Sequence, residues 1–185
     1  MVNSDYSIVI RDIRQEDVHA IVDIYAPYIR DGWTSFEEEV PDAEEMWERI
    51  EYYTDKYPWL VAELNNEVVG YAYANAYRTR PAYRWTAEVS VYVLPEWHGR
   101  GIAGLLYDST LGLLQAQNIR QVLAGVTLPN PKSEGFHKKK GFAEIGVYTD
   151  VGFKFGKWHS VKWYEKTLNE NDPPQEFVPY PELEF

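Results

Sequence analysis

Apolar residues recur along this chain with two periods, and they divide it into alternating strands and helices. "YSIVIRDI" (6–13) predicts a first strand. Val18, Ile21, Ile24, Tyr25 and Tyr28 then fall on one face at helical spacing, which predicts a helix. "DGWTSFEEEVP" interrupts the pattern as a loop or short turn. "DAEEMWERIEYY" predicts a second helix, with Asp42 as N-cap and Glu45 three residues on. Its apolar face is Ala43, Met46, Trp47, Ile50 and Tyr53.

"PWLVAELNNEVVGYAYANAY" alternates as two strands turning at Asn65-Asn66. A basic, aromatic loop, "YRTRPAYR", leads to the strand "WTAEVSVYVLP" and to the helix within "GRGIAGLLYDSTLGLLQAQN". "QVLAGV" is short and apolar, so it predicts a central strand. "NPKSEGFHKKKGF" holds a short helix, and "FAEIGVYTDVGFKFGKWHSVKWYEKTL" two last strands with a Gly-rich link. The order β-α-α-β-β-β-α-β-α-β-β predicts an α+β (mixed α/β) sheet in one domain over residues 5–168. The tail, 169–185, carries four prolines and five carboxylates and predicts extended chain.

Composition narrows the function classes. There is no cysteine, which excludes disulfides and Cys-based zinc sites. The start, "MVNSDYSIVIRDIRQED", lacks the basic and apolar segments of a signal peptide, and no apolar run has the length of a membrane span. A cytoplasmic protein, off the membrane, is expected. The net charge of −11 disfavours nucleic acid as a partner. The basic residues cluster instead at Arg78–Arg84, Arg100 and Lys132–Lys140, which points to a small anionic ligand.

"WHGRGIAG" supplies such a site between a strand and a helix. Gly99, Gly101 and Gly104 permit a tight turn and close approach to backbone N–H groups, the helix dipole favours anions, and Arg100 adds a charged donor. No Gly-Lys-Ser/Thr follows, so a nucleotide P-loop is excluded, and the mid-chain position without a later acid excludes a Rossmann fingerprint. A glycine-rich turn that binds nothing is the alternative. Glu88 stands inside the preceding strand, where parity puts it with Ser90 and Tyr92 opposite Ala87, Val89, Val91 and Val93. On pattern alone Glu88 is either a solvent-facing side chain or the lining of a cleft.

His98-Gly99-Arg100-Gly101-Ile102-Ala103 resembles the acetyl-CoA loop of the GNAT N-acetyltransferases, with His at a position those enzymes fill with Arg or Gln. Asn130 followed by a short helix ending in Gly141-Phe142 matches their next element. "YPWLVAE", "AYRWTAEVSVYVLP", "LPNPKSEGFHKKKGF" and "GFKFGKWHSVKWY" are similar to the phosphinothricin acetyltransferases within that family, with Ser160 where many members have Asp.

The resemblance implies a mixed, mostly antiparallel sheet flanked by helices, acetyl-CoA as cosubstrate, no metal, and a homodimer. It implies Glu88 as general base, its pKa raised by burial among Trp85, Tyr92 and Phe36. His137 would protonate the departing thiolate or assist Glu88. A backbone N–H of the Glu88–Val93 strand, Val91 foremost, would stabilise the thioester oxygen. Cofactor contacts would come from Val91, Tyr92, Val93, Gly99, Arg100, Gly101, Ile102, Ala103 and Gly104, then from Asn130, Ser133 and Phe136. Lys138–Lys140 would meet the adenosine phosphate or form a solvated face. Arg78, Arg80, Tyr83 and Phe36 would bind the acceptor, the α-amine of a small molecule such as phosphinothricin, methionine sulfoximine or methionine sulfone. A peptide or protein amine as acceptor, and a non-catalytic acyl-CoA-binding module, are the competing functions.

Overall fold

The computed structural model describes residues 7–184. Seven strands form one sheet in the order β1-β2-β3-β4-β5-β7-β6. They are β1 (Ile8–Asp12), β2 (Trp59–Leu64), β3 (Glu67–Ala76), β4 (Thr86–Val93), β5 (Gln121–Thr127), β6 (Ala143–Lys154) and β7 (Lys157–Thr167). The helices are α1 (Val18–Arg30), α2 (Ala43–Thr54), α3 (Ile102–Ala116) and α4 (Pro131–Lys139). Every neighbouring pair is antiparallel except β4 and β5. The predicted order of elements and the mostly antiparallel sheet are both present; Tyr6 of the expected first strand lies outside the described residues. Among the described residues no helix is long and apolar enough to cross a membrane.

Local chemistry explains the element ends. Asn65 and Asn66 both adopt positive φ (51° and 68°), the conformation a two-residue hairpin between twisted strands requires. Asp42 caps α2 by accepting from the Glu45 N–H at 2.9 Å. Asn130 caps α4 by accepting from the Ser133 N–H at 3.1 Å.

The sheet has two covered faces. On one, α1 and α2 bury Val18, Ile21, Ile24, Met46 and Ile50 against Trp59, Val61 and Tyr71. Trp59 and Tyr73 stack there at 4.3 Å, and Tyr53 stacks on Tyr73 at 5.7 Å. On the other face α3 lays Leu106, Tyr107, Leu111 and Leu114 on Ala72, Ala87, Val89 and Val122. The chain beyond β7 lies along the body. Trp85 Nε1 donates to Gln175 O at 2.7 Å, Phe177 packs 5.7 Å from Tyr57, and the Tyr180 N–H donates to Lys56 O at 3.0 Å. Tyr180 also bonds Asp12 through its hydroxyl, and a single 3-10 turn spans Tyr180–Glu182.

Candidate active site

The site begins where β4 and β5 part. Their parallel ladder holds only Thr86–Glu88 against Gln121–Leu123, whereas β4 pairs with β3 along seven residues, from Ala87 to Val93. Beyond Glu88 a cleft opens between the two strands, lined by Val89, Val91, Thr127, Asn130, Ser133, His137, Tyr107 and Thr34. Backbone parity decides which groups face it. Tyr77 donates to Thr86 O, and Leu94 donates to Val69 O, so even-numbered residues of β4 turn toward β3. The N–H and C=O of Val89, Val91 and Val93 therefore turn toward β5 and the cleft; the Glu88–Leu123 pair uses the Val89 N–H as its last rung, so Val91 and Val93 lie past the end of the ladder.

Val93 is already engaged. Tyr28 Oη donates to Val93 O at 2.5 Å, His98 Nε2 lies 2.9 Å from the same oxygen, and the Val93 N–H points at Tyr28 Oη at 3.3 Å. Tyr28 and His98 thus engage the Val93 backbone, which leaves Val91 as the open edge of the strand. This contact also gives His98 a function the loop pattern did not reveal, since its ring ties the strand end to α1. Tyr92, whose backbone turns to β3, places its ring against Tyr25 and Tyr28, both at 5.0 Å.

The glycine loop sits at the open end. Gly99 and Gly101 have φ of 75° and 86°, where any side chain would be strained, and a Cβ at either would meet nothing within 4 Å. Gly101 caps α3, whose first-turn amides at Ile102, Ala103 and Gly104 have no intrahelical acceptor. Arg100 rests its guanidinium 4.5 Å over Trp97. Gly104 has ordinary helical geometry, and its carbonyl accepts from Lys140 Nζ at 3.0 Å. Lys140 is also ion-paired with Asp108 at 2.7 Å, so it clamps α4 to α3 rather than standing free for a phosphate; Lys138 and Lys139 are exposed.

Glu88 is half-buried at the root of the splay, on the α1–α2 face. Burial pushes its pKa up to about 7, against the pull of Arg78. Trp85 is of the opposite parity and bonds the tail. Phe36 lies against Gly152 and 6.3 Å from His159. The aromatic neighbours that interact electrostatically with Glu88 are Tyr53 and Tyr73, and Tyr73 bonds Ser90, which lines the cleft. Arg78 is exposed, with its guanidinium 4.9 Å over Tyr77 and 5.7 Å over Tyr83. Arg80 is exposed just before the 3-10 turn Pro81–Tyr83.

His137 reaches the cleft but is buried, and burial lowers its pKa. Its Nδ1 lies 2.8 Å from Ser133 O, an acceptor only, so Nδ1 carries the proton. Nε2 then accepts from Tyr107 Oη at 2.9 Å. The ring is neutral with both nitrogens engaged, between Phe142 (edge-on, 5.5 Å) and Tyr164 (stacked, 5.5 Å). An imidazolium acid does not fit this setting. Tyr107, buried on α3, is the residue that sequence reasoning missed; the available signal was that a buried tyrosine hydroxyl needs a partner and His137 can supply one. Phe136 packs edge-on to Tyr107 at 5.0 Å. No group of three or more His, Asp or Glu suited to a metal occurs among the described residues.

The chain is similar to known proteins over most of its length. The model of the acetyltransferase (GNAT) domain matches residues 10–163. The chain is 41% identical to a phosphinothricin N-acetyltransferase of Alcaligenes faecalis, over 88% of this chain and 84% of that one. It is 32% identical to an L-methionine sulfoximine/L-methionine sulfone acetyltransferase of Salmonella typhimurium, over 64% of this chain and 69% of that one. The crystal structure of a GNAT superfamily phosphinothricin acetyltransferase from Sinorhizobium meliloti, in complex with AcCoA, superposes with a TM-score of 0.88 at 33% identity, covering 95% of this chain and 96% of that one. The protein belongs to the GNAT acetyltransferase family; it is an N-acetyltransferase, and acetyl-CoA is its cosubstrate.

Proposed function

We propose that this enzyme transfers the acetyl group directly to the α-amine of a small amino-acid-like acceptor of the phosphinothricin, methionine sulfoximine or methionine sulfone type, with Glu88 as general base. The observation that carries the reading is a half-buried carboxylate with pKa near 7 at the root of the β4–β5 splay, beside an exposed arginine. A free carboxylate is a weak base; one held near neutrality can take a proton from an ammonium at ordinary pH. The relatives named for phosphinothricin and methionine sulfone supply the acceptor class.

The residues fit acetyl-CoA. The amides of Gly101 to Gly104, with Arg100 beside them, would take its phosphates. The free edge at Val91, faced by Asn130, Ser133 and Phe136, would take the pantetheine arm. Bound there, acetyl-CoA supplies the activated thioester. The Val91 N–H would stabilise negative charge gathering on the thioester oxygen. Glu88 faces the other layer from the cleft lining, so its proton transfer runs through a water near Ser90 and Tyr73. CoA would leave as the thiolate beside the Tyr107–His137 pair and take its proton from solvent, since the Tyr107 proton is held by His137 Nε2. Arg78 and Arg80 would hold the acceptor's anionic groups, Tyr83 would flank them, and Phe36 would cover the aliphatic part.

We assign the enzyme to the cytoplasm, where acetyl-CoA is available, and to a homodimer formed through β6 and β7. β6 is an unpaired sheet edge, and Val151, Phe153, Phe155 and Trp158 are exposed on that hairpin. Trp158→Asp would then yield monomers in sedimentation; an unchanged mass would exclude that surface. Acceptor choice is tested by following CoA thiol release with phosphinothricin, methionine sulfoximine, methionine sulfone, free amino acids and a short peptide. Release with the peptide and not with small amines would replace this reading by a peptide acetyltransferase.

A further inference from the structure

Lys154 is 4% exposed, at the inner end of β6, and a buried lysine needs partners for its ammonium. Its Nζ donates to Ile29 O at 2.7 Å and to Ser35 O at 2.8 Å. Ile29 lies in the last turn of α1, where carbonyls lack helical donors and the dipole favours a cation. Ser35 belongs to the loop 31–42 and immediately precedes Phe36. The same loop is held from the helical layer by Tyr25 Oη on Ser35 Oγ (2.7 Å) and by Arg49 on Glu37 (2.8 Å). Lys154 is its hydrogen-bonded tie to the β6–β7 hairpin among the described residues.

Gly152 lies two residues before Lys154, on the same inward face of β6. Its backbone does not need glycine for a positive φ. It needs the space: a Cβ there would stand 2.4 Å from Cε2 and Cζ of Phe36. His159 is its register partner on β7, and Trp33 stacks on that imidazole at 5.3 Å. The ring is oriented by its Nε2–H, which donates to Lys154 O at 3.1 Å. A bulge between Tyr148 and Gly152 sets this register, and Ser160 pins it, accepting from the Asp150 N–H at 3.0 Å and donating to the Asp150 carboxylate at 3.3 Å.

We infer that Lys154 and Gly152 are positioning residues for the acceptor site: from β6 they fix the loop that presents Phe36, and so set which acceptors the enzyme holds. The inference rests on the reading that Phe36 covers the acceptor. Neither residue touches the reacting atoms, so both act on acceptor binding and leave acetyl-CoA binding alone.

The test is a double-mutant cycle of Gly152→Ala with Phe36→Ala, alongside Lys154→Met. Gly152→Ala displaces an exposed ring end rather than backbone, so the fold should persist. The acceptor KM should rise about 10-fold in Gly152→Ala while the acetyl-CoA KM stays within about 2-fold. In the Phe36→Ala background the added methyl should have no further effect, a non-additivity that general destabilisation does not produce. Lys154→Met should speed amide hydrogen exchange at Trp33–Phe36 at least about 10-fold relative to β2 and β3. Equal rises in both KM values, additive effects, or unchanged exchange at the loop would overturn the inference. If Lys154→Met does not fold, the Gly152 cycle decides. If the wild-type enzyme acetylates no small amine, the proposed acceptor class fails, and the exchange experiment still judges the tie between Lys154 and the loop.

Discussion

Glu88→Gln separates two consequences of placing a carboxylate at the root of the splay. Glutamine keeps the shape and loses the charge. Burial raises the Glu88 pKa from an ordinary 4.5 to about 7 in the folded protein. The folded state therefore binds a proton that the unfolded chain has already released between these values, and stability falls as pH rises through that window. Below 4.5 the carboxyl is neutral in both states and costs nothing. Above 7 the penalty is complete and constant. At about 1.4 kcal/mol per pH unit, the span corresponds to a ceiling of about 3 kcal/mol. Solvent reaches part of the carboxylate and screens it, so about 1–2 kcal/mol is the expected size.

Replacing Glu88 by glutamine should relieve this penalty while removing the base. At pH 8 the variant should melt about 3–6 °C above the wild type, and at pH 4.5 the two should converge. Turnover with a saturating acceptor should fall about 10²–10⁴-fold, with acetyl-CoA affinity nearly unchanged. Thermal melts at the two pH values and steady-state CoA release measure both. Equal melting temperatures at pH 8 would refute the burial argument, and wild-type turnover would refute the base.

With Glu88 as the proposed base, active when ionised, the acid limb of kcat/KM should lie near pH 7; Arg78→Met removes a charge that favours ionisation and should move the limb to higher pH. A limb in the ordinary carboxylate range, or one that Arg78→Met leaves in place, contradicts this. Tyr107→Phe deprives His137 Nε2 of its donor and should lower kcat about 10–100-fold with the acetyl-CoA KM within about 2-fold; a rise in KM at unchanged kcat would make Tyr107 a packing residue. Removing residues 171–185 strips Phe177 from Tyr57 and the carbonyl partner from Trp85, and the melting temperature should drop by about 4–10 °C. A truncated enzyme melting within about 1 °C of the full chain would mean that the strap adds no stability.

Side-chain pattern made the faces of this protein legible and left its edges hidden. The helical stripes of α1 and α2 and the Asn-Asn turn follow from local chemistry, so their positions could be read directly. The glycine loop carries its own signal, because positive φ and free amides demand those residues. The surroundings of Glu88 were legible only in part, because Tyr53 and Tyr73 reach it from α2 and β3 through long-range packing. His137 was singled out by the resemblance, but its partner Tyr107 was not, because only the packing of α3 on α4 brings the two together. Lys154 carries no local signal in the sequence; only the β6–β7 register turns it inward beneath the loop.

The splay itself has no side-chain signature, and β4 explains why the chemistry nevertheless falls into place. In a strand, alternation governs two things at once: the face each side chain takes and the edge each backbone amide takes. Even residues of β4 send side chains toward α1 and α2 and amides toward β3, so Glu88 gains its burying layer and costs no free edge. Odd residues send side chains toward α3 and amides toward the cleft, so Val91 is anchored by its apolar side while its N–H stays available. On the proposed mechanism a base and an oxyanion donor on one strand must therefore differ in parity, as residues 88 and 91 do. A one-residue slip against β3 would exchange both roles, turning the carboxylate into the α3 core and spending the Val91 N–H on the ladder. The seven-residue pairing of β4 with β3, against three with β5, is what holds that register while leaving the other edge open.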